Sequence, residues 1–548
     1  MSNPFQNVIN LHPQRSVFNL SYEKKFTARM GLIYPVMCDE VLPGDKFIIG
    51  NQQILRFQPL VAPVMHEISS YVHYFFVPYR ILWSQWEQFI TGGEDGNFTA
   101  TPPLQDGNHY TEYDKDQGKY LIKVKPPKEQ SDKQPRAPRA LGDIWDMLGL
   151  SVEGGIYSTT PPLAFPFMAY NLCWNEYYRD ENLQDHVDLF NEDLLFRNWE
   201  KDYFTSALPF QQKGDPAAIP ISATGDVNFL GSTVGSPGNM PNDSDFSWLV
   251  GYNAESPYGI YGYGVNNSPN PAWRNAQPFI DWLNNNNISL NTAPGFTVSD
   301  LRLAFQIQKW QERNARAGSR YFEFLKAHFG VSPRDERLQR PEYIGGTKSN
   351  VIVSEVLQTS QSGDPGADGT PQGNMAGHGI MASAARAGSY FAEEHGLIIG
   401  LMSIKPRSAY SSQGIPRQWS RLTKFDYYTP EFANLSEQAI LNKELCVTVD
   451  TAHDNAIFGY QGYADEYRVK DNMICTNMRQ MFSYWHFARR FDKNNPPALN
   501  SEFISLQDVR TDPFAVQDED TMIINFGNVI KAIRPMPIQS MPGLIDHN

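Results

Sequence analysis

YVHYFFV, residues 71–77, is a run of aromatic and β-branched residues that Pro78 brings to a stop. Such residues fit a pleated sheet, and proline cannot donate to the ladder that would extend it, so the run predicts a strand. Immediately beyond it the period changes. Leu82, Trp86, Phe89 and Ile90 recur at i, i+4, i+7 and i+8, which predicts a helix over 79–90, closed by Gly92-Gly93. Upstream, Leu42-Pro43-Gly44-Asp45 is a turn signal, and KFIIG at 46–50 is another strand-like run.

Further strand-like runs occur late, at 351–357, 397–404, 444–449 and 522–526. Early and late strands with helices and loops between them predict one β-domain. Strands from 31–77 would share a barrel with strands from roughly the last 160 residues. Between them, 165–179 reads as helix, with Phe165, Met168 and Leu172 on one face. Residues 298–330 are also helical. Thr297 and Asp300 offer a capping box, and Leu303, Ile307 and Trp310 make one stripe. Phe322, Leu325 and Phe329 make a second stripe, after a break near Gly318. The arginines at 302, 313, 316 and 320 are interleaved with acids, a pattern of interface ion pairs more than of phosphate contacts.

Residues 94–139 read as loop, with seven Lys/Arg against two acids over 119–139. Residues 359–380 read as a flexible loop. Residues 211–297 hold 32 Gly, Pro or Asn among 87 positions, yet carry Trp248, Tyr252, Tyr258, Tyr261, Tyr263 and Trp273. That stretch predicts an ordered, loop-rich outer insertion. The expected organisation is an arm over 1–30, a first β-part over 31–210, the insertion over 211–297, and a helical segment with the remaining strands over 298–548.

Composition narrows the function classes. The 548 residues are 41% hydrophobic and 13% aromatic, with 39 Pro and 40 Gly, a globular balance rich in turns. A net charge of −14 is unlike that of a free nucleic-acid binder. Cys38, Cys173, Cys446 and Cys475 are too scattered for a disulfide framework or a zinc site. The polar start has no apolar h-region, and runs such as 396–404 are too short to span a bilayer, so a soluble chain or assembly is expected.

Catalytic patterns are weak. There is no GxSxG and no HExxH. Gly373, Gly377 and Gly379 lie in a polar stretch with no phosphate-loop lysine, and read as loop. Glu393-Glu394-His395 and 450–454 (DTAHD) put neighbours in different directions, so neither builds a pocket by itself. Trp83, Trp86 and Phe89 at helical spacing read as packing. No catalytic, cofactor or metal site is expected. The aromatics of 248–273 would also suit a lectin-like module, and a hydrolase on a β-scaffold is a third reading; neither assembles a convergent set of residues.

Several irregular motifs resemble the gokushovirus major capsid protein, of the microvirus family (Microviridae). They include DEVLPGD at 39–45, FFVPYRILWSQW at 75–86, NLCWNEYYRDENLQ at 171–184 and DYFTSALP at 202–209. AFQIQK at 304–309, FGVSPRDERLQRPEYIGG at 329–346, EHGLIIG at 394–400, EQAILNKE at 437–444 and FGYQGYADEYR at 458–468 follow in order. Departures occur near Phe210-Gln211 and at Gly462-Tyr463, where the family pattern differs.

The resemblance implies a mainly β fold, an eight-stranded antiparallel viral jelly roll with long inserted loops and helices. It implies a bacteriophage shell of about sixty copies in T=1 symmetry around a circular single-stranded DNA genome, not an enzyme. Implied partners are a minor or pilot protein, an internal scaffolding protein, a small basic DNA-binding phage protein and a bacterial surface receptor. Assembly would take place in the host cytoplasm, and the product would be the virion. The insertion would form a three-fold protrusion, with Trp248, Tyr252, Tyr258, Tyr261 and Tyr263 as host-contact candidates. Two polar, aromatic segments give the subunit-contact candidates: Arg334, Arg337, Arg340 and Tyr343, then Tyr460, Tyr463, Tyr467 and Arg468. Because the chain is acidic, its charge must be segregated. Arg15, Lys24, Lys25 and Arg29 of the arm are the DNA-facing candidates.

Overall fold

The computed structural model describes residues 14–126, 141–150, 160–215, 224–226, 289–291, 298–318, 320–357, 375–433, 435–517 and 519–539. The chain divides into two compact units, Met1–Gln211 with Asn314–Asn548, and Gln212–Arg313. In the second, Thr224–Asp226 pairs with Ser289–Asn291, and Gln311 donates to the Asp215 carbonyl at 2.9 Å.

Nine strands carry the first unit: β1 Ser16–Asn19, β2 Tyr22–Ala28, β3 Ile33–Val41, β4 Lys46–Phe57, β5 Ile68–Pro78, β6 Glu342–Leu357, β7 Met375–Phe391, β8 Gly396–Pro406 and β9 Met522–Arg534. All pairings are antiparallel. On one side β9 lies between β4 and the β1/β2 pair, and β4 also pairs with β7. On the other side β8 lies between β3 and β5, and β5 also pairs with β6. β6 joins the two sides. Its residues 342–351 pair with β5 and its residues 352–357 with β7, so one sheet curls over on itself. Because β1 and β2 occupy one edge position, this is the order of an eight-stranded jelly roll. Strands of 31–77 do share it with strands from the end of the chain.

Alternation explains the packing. Along β4, Phe47, Ile49, Leu55 and Phe57 are buried, while Lys46, Gln52, Ile54 and Arg56 face out. The interior also takes Phe526 and Ile530 of β9, Tyr74 and Phe76 of β5, and Ile398 and Met402 of β8. Several polar groups placed inside bond across the roll. Asn51 reaches the Tyr74 hydroxyl at 3.2 Å and Thr347 at 3.0 Å; the Ser70 hydroxyl donates to Gln53 at 2.9 Å; Asn528 donates to the Val36 carbonyl at 2.9 Å.

β8 is buried on both faces, because a second core covers its outside. Helix α1, Phe165–Tyr177, supplies most of that cover and is buried nearly all round. Leu397, Ile399 and Leu401 meet it there.

Several expectations are corrected. Residues 16–28 of the supposed arm are strands of the sheet, because their alternation pairs with β9. The helix expected over 79–90 is two short pieces, Tyr79–Leu82 and Trp86–Thr91. Tyr79, Trp83 and Trp86 all pack on Phe165, and this tertiary contact overrides the helical period. Within 94–139, His109–Asp114 and Lys119–Val124 form a hairpin. Gly377 and Gly379 are strand residues; a Cβ at Gly379 would lie 2.4 Å from the Phe57 ring. The run 444–449 begins as the helical turn Asn442–Leu445, because the buried Glu444 carboxylate accepts from the Leu441 amide at 3.0 Å. Helix α2, Val298–Ala317, and helix α3, Tyr321–Phe329, flank Gly318. Thr297 lies outside the described residues.

The two faces of β9 make a direct test. Phe526→Ala should cost about 3–5 kcal/mol by chemical unfolding of the unassembled protomer. Ile523→Ala, on the outward face, should change stability by less than about 1 kcal/mol.

Candidate assembly surfaces

The Arg340 side chain is only 12% exposed. It pairs with Asp335, its Nε donating at 2.7 Å, and its guanidinium lies 3.8 Å from the Phe322 ring centre and 5.2 Å from that of Tyr177. Tyr343 leans on Phe75 and His73 and remains half-exposed. Arg334, by contrast, is 87% exposed and reaches Glu336 at 3.6 Å. Arg337 is exposed on the same turn. Of the four candidates, Arg340 is therefore a strut inside its own subunit, and the others are offered outward.

The second group is organised by a residue the sequence reading passed over. Arg421, itself buried, pairs with Glu466 at 3.0 Å and stacks on Tyr467 at 4.4 Å and Tyr427 at 5.3 Å. Tyr428 lies 6.2 Å from both Tyr463 and Tyr467. Arg468 closes back on the Tyr463 carbonyl at 3.1 Å and on Asp465. Tyr460 stands apart, half-buried in the two-stranded Glu437–Leu441/Ile457–Gly462 sheet and bridged to Leu208 by mutual 2.8 Å backbone hydrogen bonds.

Arg421, Tyr427 and Tyr428 belong to 415–433, a chain of short turns. The Asp426 carboxylate accepts from the amides of Leu422 at 2.8 Å and Thr423 at 2.7 Å, which turns the Leu422 side chain outward. Leu422 is 93% exposed and Trp419 74%, with Phe425, Tyr427 and Leu435 also exposed. So much exposed apolar side chain in one segment makes it a candidate contact surface. The signal was present in the sequence as IPRQWSRLTKFDYYTPEFANL, apolar and aromatic with neither a strand nor a helix period.

Of the DNA-facing candidates, Arg15 and Lys25 are exposed, Arg15 lying over the Phe391 ring at 5.4 Å. Lys25 approaches Glu23 at 3.3 Å, and Arg29 pairs with Asp520 at 2.9 Å. Lys24 is a correction. The strand period turns it inward, where its ammonium donates to the carbonyls of Pro35, at 2.9 Å, and Met147. Burial lowers its pKa to about 8. The insertion aromatics Trp248, Tyr252, Tyr258, Tyr261 and Tyr263 lie outside the described residues.

A cleft of about 680 Å³ is lined by His73, Tyr178, Arg197, Arg340, Tyr343 and Lys405. Lys405 is 7% exposed, with its ammonium 4.9 Å from the Tyr71 ring centre and Arg197 stacked on the same ring at 4.6 Å. Burial, with Arg197 adding repulsion, lowers the Lys405 pKa to about 8. His73 is pushed down to about 4 by the same causes, burial first and then Arg197 and Lys405. Among the described residues no group of His, Cys, Asp and Glu is placed to hold a metal ion.

Two predictions follow from these environments. Arg334→Ala should leave protomer stability within about 0.5 kcal/mol, whereas Arg340→Ala, which strands Asp335, should cost about 2 kcal/mol or more in the same unfolding assay. Lys405→Met should stabilise the protomer at pH 7 by roughly 1–3 kcal/mol, since a buried charge that lies beside Arg197 is removed. Above pH 8 the native state releases this proton while the unfolded chain keeps it to about 10.5, so native stability rises with pH and the advantage of Met shrinks.

Known proteins place these surfaces in context. A family model described as Capsid protein (F protein) matches residues 6–544. Capsid protein VP1 of Chlamydia phage 1 is 33% identical, over 99% of this chain and 98% of that protein. Capsid protein VP1 of Bdellovibrio phage phiMH2K is 32% identical, over 91% and 89% respectively. Capsid protein VP1 of Spiroplasma virus 4 is 29% identical, over 97% and 96%. These relatives are structural proteins and not enzymes. With a jelly roll, an outward apolar segment and a match along nearly its whole length, the chain belongs to the F-protein family of phage capsid proteins, a component of the virion that assembles with itself.

Proposed function

We propose that about sixty copies of this chain close a T=1 icosahedral shell around a circular single-stranded DNA genome. The observation that carries this reading is the exposed segment 415–435 with its Arg421–tyrosine base, a surface suited to a neighbouring copy. Arg334, Arg337, Tyr343, Tyr463, Tyr467 and Arg468 would add polar contacts at the margins of such interfaces. Tyr460 and Arg340 would hold those surfaces in shape from within the subunit.

In this reading the insertion over 211–297 projects near the three-fold axis and meets a bacterial surface receptor, its acidic balance suiting an outer position. A minor or pilot protein, an internal scaffolding protein and a small basic DNA-binding protein would complete the particle, assembled in the host cytoplasm. About sixty copies at −14 each put roughly −840 charges around a polyanion, so cations and the basic protein would supply most of the neutralisation.

Leu422→Asp tests the shell reading. The side chain makes little contact within its own subunit, so the melting temperature of the protomer should stay within about 2 °C of the parent. Sedimentation and electron microscopy should show the parent as closed particles and the variant as free protomers or small oligomers. A variant that still closes particles would remove 415–435 from the interface. A parent that never forms particles would remove the shell reading itself.

A further inference from the structure

The outer face of β8 changes character along its length. Leu397, Ile399 and Leu401 lie in the core built on α1, but the next two residues of the same face are Ser403 and Lys405. The registers set Lys405 opposite Ser69 and Ser403 opposite Tyr71 of β5, with Lys348 of β6 opposite Tyr71 on its other side. Three cations gather on that ring, Arg197 at 4.6 Å, Lys405 at 4.9 Å and Lys348 at 5.4 Å from its centre. Arg197 gives one N–H to the Ser403 hydroxyl at 2.6 Å; Lys405 donates to no group among the described residues. The acids of the 680 Å³ cleft do not neutralise this pair. Asp180 is taken by Lys201 at 2.5 Å and Asp335 by Arg340 at 2.7 Å. Glu200 is exposed and acts on Arg197 and Lys405 from beyond ion-pair distance. Two buried donors of cleft-lining residues, the Trp199 indole N–H and Nη1 of Arg340, also have no hydrogen-bond partner among the described residues.

We propose that this cleft holds a tetrahedral oxyanion, free phosphate or a phosphomonoester group, between Lys405 and Arg197, with Lys348 at its margin. The inference goes beyond the shell reading and does not rest on it. A buried ammonium beside a guanidinium costs stability unless an anion offsets it, and unpartnered donors of the same cleft call for an acceptor. Charge selects the class of ligand. Three cations against one exposed carboxylate suit a dianion, and four oxygens can accept from ammonium and guanidinium together. The cleft is far larger than one ion, so a phosphate carried on a larger molecule also fits. Binding is linked to a proton. Lys405 faces Arg197 and Glu200, Tyr71 and His73 of β5, and Lys348 of β6. Burial, then Arg197, brings its pKa to about 8, whereas His73, at about 4, stays neutral over this range. A bound dianion retains the Lys405 proton that the free site gives up, so affinity falls as pH rises above 8.

The test is calorimetric titration of the full chain with sulfate, a dianion at every pH used, at fixed ionic strength. The parent should bind saturably, one ion per chain. Lys405→Met should weaken binding at least about tenfold and Lys348→Gln by less, while Lys424→Gln, an exposed lysine outside the cleft, should leave it unchanged. Parental affinity should fall from pH 8 to pH 9, and any residual affinity of Lys405→Met should stay level. Displacement of sulfate by an alkyl phosphomonoester supports a phosphate carried on a larger molecule; displacement by inorganic phosphate alone supports a free ion, and both sustain the site. Heat that never saturates and is equal in parent and Lys405→Met is the general effect of sulfate on protein surfaces, and overturns the proposal. Saturable binding that Lys405→Met leaves intact overturns it as well. Should Lys405→Met not fold, the parent decides the matter: an affinity that does not change between pH 7 and pH 9 overturns the proposal.

Discussion

β9 is the element on which the fold depends. It runs between β4 and the β1/β2 pair, and its registers join residues about 500 positions apart, such as Met522 with Ala28. Until it is in place, β4 has an open edge, and Phe526 and Ile530 are missing from the core between the two sides of the roll. A contact of such sequence separation has to offset a large loop-closure entropy, and only the gain of two ladders and a core together does so. The long connections between β5 and β6 and between β8 and β9 then carry the inserted elements, among them α1, which covers β8.

Within that frame the buried polar residues fix register. Asn51, Gln53 and Asn528 occupy inward positions where an aliphatic side chain would also fit the alternation. Each bonds to a group on another strand: Asn51 to the Tyr74 hydroxyl and Thr347, Gln53 to Ser70, and the Asn528 amide nitrogen to the Val36 carbonyl. A slip of one residue would bury these amides without partners and send the apolar set to solvent. The hydrophobic effect drives the collapse, and this polar seam selects one pairing from many.

The outside of the unit carries surfaces suited to contact with other copies. One sheet face is sealed by α1, and Leu422 is held away from the core by its amide's hydrogen bond to Asp426, with Trp419 exposed in the same segment. A monomer gains nothing from rigid turns that hold apolar side chains in water. A chain that assembles does, because side chains already ordered lose less entropy when a neighbour buries them. Buried Arg421 and Arg340 act in the same way, stiffening from below the surfaces that partners would meet.

Strand character at 46–50, 71–77, 397–404 and 522–526, the helix at 165–179, and the union of early and late strands were legible in the sequence, because alternation and apolar runs are local signals of burial. The family was legible in irregular motifs such as FFVPYRILWSQW. The N-terminal strands were hidden by their polar outward positions, and Gly377 and Gly379 suggested a loop where close packing on Phe57 and Ala62 demands glycine in a strand. The surfaces were the least legible. Arg334 and Arg340 look alike in sequence, as do Lys24 and Lys25. Only the tertiary structure turns Arg340 onto Phe322 and Lys24 onto the Pro35 carbonyl, leaving their counterparts in solvent. Composition determines that charges and aromatics exist, but which of them a partner can reach depends on contacts made by residues hundreds of positions away.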